Sequence, residues 1–153
     1  ESLTAVVVPL KKARKDWGHS EILQALGTGT LIATRDGNVY IVESAVNTLS
    51  ELGNGEREDY GKIRVSMTLD QIVNDITSVG KKYKGKLSNN DLGGAVFVSA
   101  VHSYLAEREQ QGAIDTGWTF VDQKNGVGDR RGFLLSAKPL DAIEYFTIDW
   151  EVL

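Results

Sequence analysis

The sequence predicts an α+β fold: a mixed or mostly antiparallel sheet, two main helices packed on one side of it, and an extended terminal strand. Three observations lead there. Two long stretches in the middle of the chain place apolar residues at helical spacing. The flanks are short β-branched and aromatic runs punctuated by glycine, asparagine and aspartate. The resulting order is strands, helices, strands, and helices laid on one face of a sheet bury the apolar surfaces of both. With 153 residues, 41% hydrophobic and 25% charged, the expectation is a single domain, 1–153, with an ordinary core.

Taken in order, Leu3–Leu10 is apolar and β-branched up to Pro9, which suits a short strand. Lys11–Lys15 is a local basic run. Ser20–Gly29 reads as a short helix, with Ser20 as cap, Ile22, Leu23 and Leu26 on its apolar side and Gly27 as its stop. Thr30–Glu43 reads as a hairpin turning on Asp36-Gly37-Asn38. Ser50–Gly61, with three glycines and mixed charges, is a loop, and Lys62–Met67 is read as a further short strand.

A helix follows from Thr68 to Tyr83. Leu69, Ile72, Val73, Ile76 and Val79 form its stripe, Thr68 with Gln71 its capping box, and Lys81 and Lys82 suit its negative end. Lys84–Gly94 is a polar break. The second helix, Leu92–Gln111, buries Phe97, Val98, Val101, Tyr104 and Leu105 and is closed by Gly112. Gly117–Asp122 and Phe133–Ala137 are strands around a turn-rich loop, and Pro139 interrupts before the end. From Phe146 the chain alternates: Phe146, Ile148, Trp150 and Val152 on one face, Thr147, Asp149 and Glu151 on the other.

Composition narrows the function. A net charge of −4 argues against a nucleic-acid binder, whose footprint is basic, and Lys11–Lys15 is read as a solvated face. Without cysteine there are no disulfides or thiolate metal sites. His19 and His102 lie far apart, so no metal or other cofactor is expected; His102 reads as a boundary or surface residue and His19 as a capping or surface one. Gly27–Thr30 opens a strand rather than a helix, the reverse of a dinucleotide loop, and Asn125–Gly132 reads as a hairpin loop. No nucleophile elbow or ordered calcium loop is present. No apolar run reaches the ~18 residues of a membrane span, so no membrane insertion is expected. The chain opens at Glu1 rather than Met, which leads to the expectation of a piece cut from a longer protein.

Collinear segments from Ser20 to Leu153 resemble the C-terminal region of contractile phage tail sheath proteins, as in myovirus-like prophages and phage-tail bacteriocins. The matching residues are Val46-Asn47-Thr48-Leu49; Tyr83, Gly85, Lys86, Asn89 and Asn90; Tyr104, Leu105, Gly112, Ala113 and Ile114; and Pro139, Asp141, Ala142, Ile143, Glu144, Thr147 and Val152. Residues 1–19 match less well. The resemblance implies a structural, non-enzymatic subunit of a virion tail, assembled in the bacterial host cytoplasm. Its partners would be other sheath subunits in a helical homo-polymer and an inner tail tube protein. The sheath would contract to drive that tube through a bacterial envelope. Ala106–Gln111 is a candidate for touching the tube, although a solvated helix end is the preferred reading.

The family's arms lend strands to neighbouring subunits, and residues 141–153 are the candidate arm, with Phe146, Ile148, Trp150 and Val152 as its partner-binding face. A donated strand gains register from backbone hydrogen bonds and specificity from alternate side chains. Four such side chains contribute on the order of 6–12 kcal/mol before entropy is charged. In the plain reading, the strand completes this chain's own sheet. The alternative function is a small soluble α+β enzyme or ligand-binding module, whose mark would be a concave pocket with strongly shifted titratable groups.

Overall fold

The computed structural model describes residues 3–10, 16–49, 51, 58–144 and 147. Its elements are β1 (Val7–Val8), α1 (His19–Gly27), β2 (Ala33–Asp36), β3 (Val39–Val42), a 3₁₀ turn at Glu58–Gly61, α2 (Ile63–Tyr83), α3 (Asp91–Gln110), β4 (Thr119–Asp122) and β5 (Phe133–Ser136). Three α-helices and two small antiparallel sheets make this an α+β protein. The chain gathers into two compact units, one from residues 1–66 with 141–153, the other from 67–140.

The first unit holds a three-stranded sheet in the order β1-β3-β2. The predicted hairpin is there: Ala33 faces Val42 and Asp36 faces Val39 across the turn at Gly37-Asn38. The first predicted strand is shorter than its apolar run: Val7 and Val8 pair in regular register with Ile41 and Tyr40 of β3, and before them Ala5 and Val6 bond the backbone of Val42. Among the described residues of this unit, Ile32, Ala45 and Val65 are the buried apolar ones. Gly29 explains the glycine-threonine run before β2. It has φ +70°, and a Cβ there would lie 2.4 Å from the carbonyl oxygen of Asn47, so only glycine fits this crossing.

Two helix starts differ from the sequence reading. In α1 the cap is Gly18, not Ser20, and the Glu21 carboxylate reaches back to accept the Gly18 N–H at 3.0 Å. In α2 the helix begins at Ile63, so the segment read as a strand from Lys62 to Met67 is its opening. The β-branched pair Ile63 and Val65 suggested a strand, but Val65 is in phase with Leu69, Ile72 and Ile76. Burying it (1% exposed) needs the helix to begin before it. Thr68 therefore sits inside the helix rather than at its cap.

In the second unit Ile72 of α2 meets Val101 and Leu105 of α3, with Ile114 and Phe120 closing the core. Around it Phe97 packs edge-on against Phe133 (centroids 4.9 Å apart) and Phe120 (5.9 Å). Asn90 caps α3, accepting the Gly93 N–H at 2.9 Å. Strands β4 and β5 form a two-stranded sheet in which Phe120 faces Leu135 and Val121 faces Leu134. The turn-rich segment between them is the hairpin loop that the sequence predicts. Val73, placed in the α2 stripe by its spacing, is 59% exposed. It lies one residue past Ile72, at the margin of the covered face.

Leu105→Ala removes a fully buried side chain and should cost about 2–5 kcal/mol. Val73→Ala should stay within about 0.5 kcal/mol. Urea unfolding of the two variants checks this, and equal effects would contradict the described core.

Candidate functional site

The polar chemistry of the molecule lies in clusters that fix segments in place. The most enclosed of them is at the end of the described chain. Pro139 and Leu140 hold the returning chain beside Ile114 and Ala113, and Asp141–Glu144 follows. Glu144 Oε1 accepts from Thr4 Oγ1 at 2.6 Å. Its Oε2 accepts from Lys62 Nζ at 2.6 Å and from Ser44 Oγ at 2.9 Å. Lys62 Nζ also donates to Ser44 Oγ at 3.0 Å and lies 3.9 Å from Asp141 Oδ2. Thr4 Oγ1 in turn accepts the Ala45 N–H at 2.9 Å.

Local structure explains each position. Ser44 and Ala45 leave β3 as buried residues. Lys62 is fixed by the bridge between it and Val46, one residue before α2. The Glu144 side chain is 7% exposed and that of Lys62 29%. Burial works to raise the Glu144 pKa. Hydrogen bonds from Lys62, Thr4 and Ser44, with the Lys62 charge, outweigh it and hold the carboxyl below its ordinary value. This group was not legible in the sequence beyond the Asp141 and Glu144 of the closing motif. Isolated Thr4, Ser44 and Lys62 give no spacing signal.

A second cluster orders the β4–β5 loop. Arg131 Nε donates to Asp122 Oδ2 at 2.8 Å and Oδ1 at 3.0 Å, and its Nη2 donates to Asp91 Oδ1 at 3.0 Å. The Arg131 hydrogen bonds hold Asp122 below the usual carboxylate range. Asn89 Nδ2 donates to the carbonyls of Gly128 (2.8 Å) and Arg130 (3.1 Å). A Cβ on Gly94 would come within 2.2 Å of Asp122 Oδ2, so glycine lets the ion pair lie against the start of α3. Beside this cluster a cavity of about 450 Å³ opens, lined in part by Tyr83, Phe97, Phe133 and Arg131.

The remaining motif residues are also anchors. Asn47 Nδ2 donates to the Tyr60 carbonyl at 2.7 Å, and its Oδ1 accepts the Leu49 N–H at 2.8 Å. Tyr104 donates to Asp75 at 2.7 Å, and burial followed by that carboxylate pushes its pKa up. His102, read as a surface or boundary histidine, is exposed. Its Nε2 lies 2.8 Å from the Phe120 carbonyl, and its ring meets Trp118 edge-on. Within Ala106–Gln111, Arg108 lies over the Tyr104 ring and Glu109 accepts from Trp118 Nε1 at 2.6 Å. That helix end is thus partly used inside the unit. Phe146, Ile148, Trp150 and Val152, like Lys11–Lys15, lie outside the described residues.

Among the described residues no group of three or more His, Asp or Glu could hold a metal, and no helix is long and apolar enough to cross a membrane. The carboxylates that matter are matched to cations and hydroxyls, the arrangement of a protein in which polar groups position chain segments. A family model described as the phage tail sheath C-terminal domain matches residues 56–152. The chain belongs to that family.

It is similar to the uncharacterized protein YqbK of Bacillus subtilis (strain 168), 31% identical over 151 residues, covering 88% of this chain and 31% of the relative. It is also similar to the tail sheath protein of Clostridium phage phiCD119, 33% identical over 92 residues, covering 60% of this chain and 26% of that protein. The chain thus spans about a third or less of these curated relatives. Among solved structures it resembles the sheath tail protein Lin1278 of Listeria innocua (TM-score 0.69, 20% identity, 93% of this chain and 38% of that one). A chain of the anti-feeding prophage baseplate matches with TM-score 0.80 at 12% identity, over 99% of this chain and 44% of that one. At these identities the likeness to the solved structures is one of fold.

Glu144→Ala removes the acceptor of three hydrogen bonds and leaves Lys62 without its closest anion. It should destabilise the first unit by about 2 kcal/mol, with faster amide exchange at residues 141–144. Because the folded pKa lies below the unfolded value, near 4.3, the carboxylate's contribution is complete above that pH. It is lost as pH falls through the depressed folded value. Melting temperatures from pH 7 down to 3 should therefore fall less steeply at the acid end in Glu144→Gln than in the native chain. Parallel curves would remove the assignment.

Proposed function

We propose that this chain is the C-terminal domain of a longer tail sheath subunit, a structural rather than catalytic part of a phage tail. In this reading subunits polymerise helically around an inner tube, in particles assembled in the host cytoplasm. The polymer then contracts to drive the tube through a bacterial envelope. Residues 141–153 supply an arm whose strand, with Phe146, Ile148, Trp150 and Val152 on its apolar face, is lent to a neighbouring subunit.

The observation that supports this best is the Glu144 cluster. It fixes the chain immediately before the alternating segment by three hydrogen bonds to a largely enclosed carboxylate. A strand under mechanical load needs such a root, since tension on residues 145–153 is then borne at Glu144. The receiving side is equally suited. Among the described residues β4 and β5 form a sheet of two strands, and Val121 and Leu134 stand exposed as a cross-strand pair on one of its faces. Such a sheet gains from an added strand.

Deleting residues 145–153 from the full-length subunit should abolish striated tubes in negative stain while leaving the circular dichroism of the monomer unchanged. Tubes of normal length and striation from the deleted protein would refute the arm. Dispersed globules from the intact full-length protein would refute the sheath reading as a whole.

A further inference from the structure

The cavity of the second unit has a definite chemical character. Its floor is aromatic: Tyr83 and Phe97 meet edge-on with centroids 6.1 Å apart, and Phe97 meets Phe133 at 4.9 Å. Gly80 opens its α2 side, where a Cβ would lie 3.8 Å from the Phe97 ring. Its rim is cationic, with Lys81 and Lys84 exposed beside it. Neither of these lysines forms a salt bridge with a carboxylate among the described residues. Arg131, which also lines it, is already matched to Asp122 and Asp91. Asp129 is the one acidic lining residue.

An aromatic floor under two available ammonium groups fits an aromatic side chain flanked by carboxylates. This is a local reversal in a chain of net charge −4, so the preference is not a property of the whole surface. At about 450 Å³ the space lies within the range of sites that enclose a compact ligand. One segment of the chain outside the described residues matches: Trp150 stands between Asp149 and Glu151. In an extended segment those two carboxylates project to the opposite side from the indole. They therefore stay at the rim, near the lysines, when the ring enters. Alternate residues are about 6–7 Å apart, so Ile148 or Val152 follows on the same side.

We propose that this cavity receives Trp150 of a second copy of the chain, with Lys81 and Lys84 pairing with the neighbour's Asp149 and Glu151. This rests on the strand-arm reading and deepens it. The backbone of an arm gives register without selectivity, and an aromatic socket tells the arm which residue belongs where.

The test uses a fluorescein-labelled peptide of residues 144–153, titrated with the full chain and followed by anisotropy. Saturable binding is expected. It should weaken at least ten-fold for the peptide with Trp150→Ala and for the chain with Gly80→Leu, a helix-compatible change that fills the cavity. It should weaken about as much for Lys81→Glu with Lys84→Glu, and rising salt should erase that difference. If the peptide fails to bind, or binds Gly80→Leu as tightly as the native chain, the socket is refuted. Unchanged binding by the Trp150→Ala peptide also refutes it, while leaving the arm itself to stand or fall on sheath assembly.

Discussion

A carboxylate taken almost entirely out of water must find donors, and the first unit is organised around the way Glu144 finds them. Thr4, Ser44 and Lys62 come from three different stretches of the chain, and Thr4 and Glu144 are 140 residues apart. Among the described residues of this unit the buried apolar ones are Ile32, Ala45 and Val65. Hydrophobic burial alone would leave its segments loosely specified. The polar node supplies the specificity: a hydrogen-bonded carboxylate tolerates little displacement before desolvation turns against it. Ser44, at 2% exposure, would be an unsatisfied buried hydroxyl without Glu144 and Lys62.

The second unit is stabilised differently. Val101 and Leu105, one turn apart on α3, are withdrawn completely from solvent against Ile72, and the aromatic group of Phe97, Phe120 and Phe133 extends that core to the small sheet. Polar groups then set the outline. Asn89 and Asn90, adjacent in sequence, divide the work: one clamps the β4–β5 loop and the other caps α3. The residues that carry the resemblance are thus in several cases fold determinants. Asn47, Asn89, Asn90, Tyr104 and Glu144 each close a contact that a neighbouring residue type could not make with the same geometry.

Much of this was legible in the sequence, for physical reasons. Helical spacing of Val101, Tyr104 and Leu105 reflects burial directly, and the turn residues at Gly37-Asn38 and in the β4–β5 loop announce hairpins. The α+β class followed from those signals, and the motifs pointed to the sheath family that the comparison confirms. What failed was local: Ile63 and Val65 favour a strand by propensity, but their burial is decided by partners elsewhere. The Glu144 node was hidden for a related reason. Long-range polar contacts leave no period in the sequence, and a single threonine, serine or lysine looks like any surface residue. The acidic, aromatic character of residues 149–151 was visible, but the cavity that Lys81, Lys84 and Phe97 line together emerged only from the fold.

The first unit is discontinuous, built from residues 1–66 and 141–153 around an uninterrupted second unit. Synthesis runs from the N-terminus, so the whole of 67–140 emerges from the ribosome before Glu144 does. The second unit can therefore mature while Lys62 and Ser44 still lack their carboxylate. Closure of the node is therefore a late event in the life of the chain. Until that moment Lys62 and Ser44 have water in place of the carboxylate.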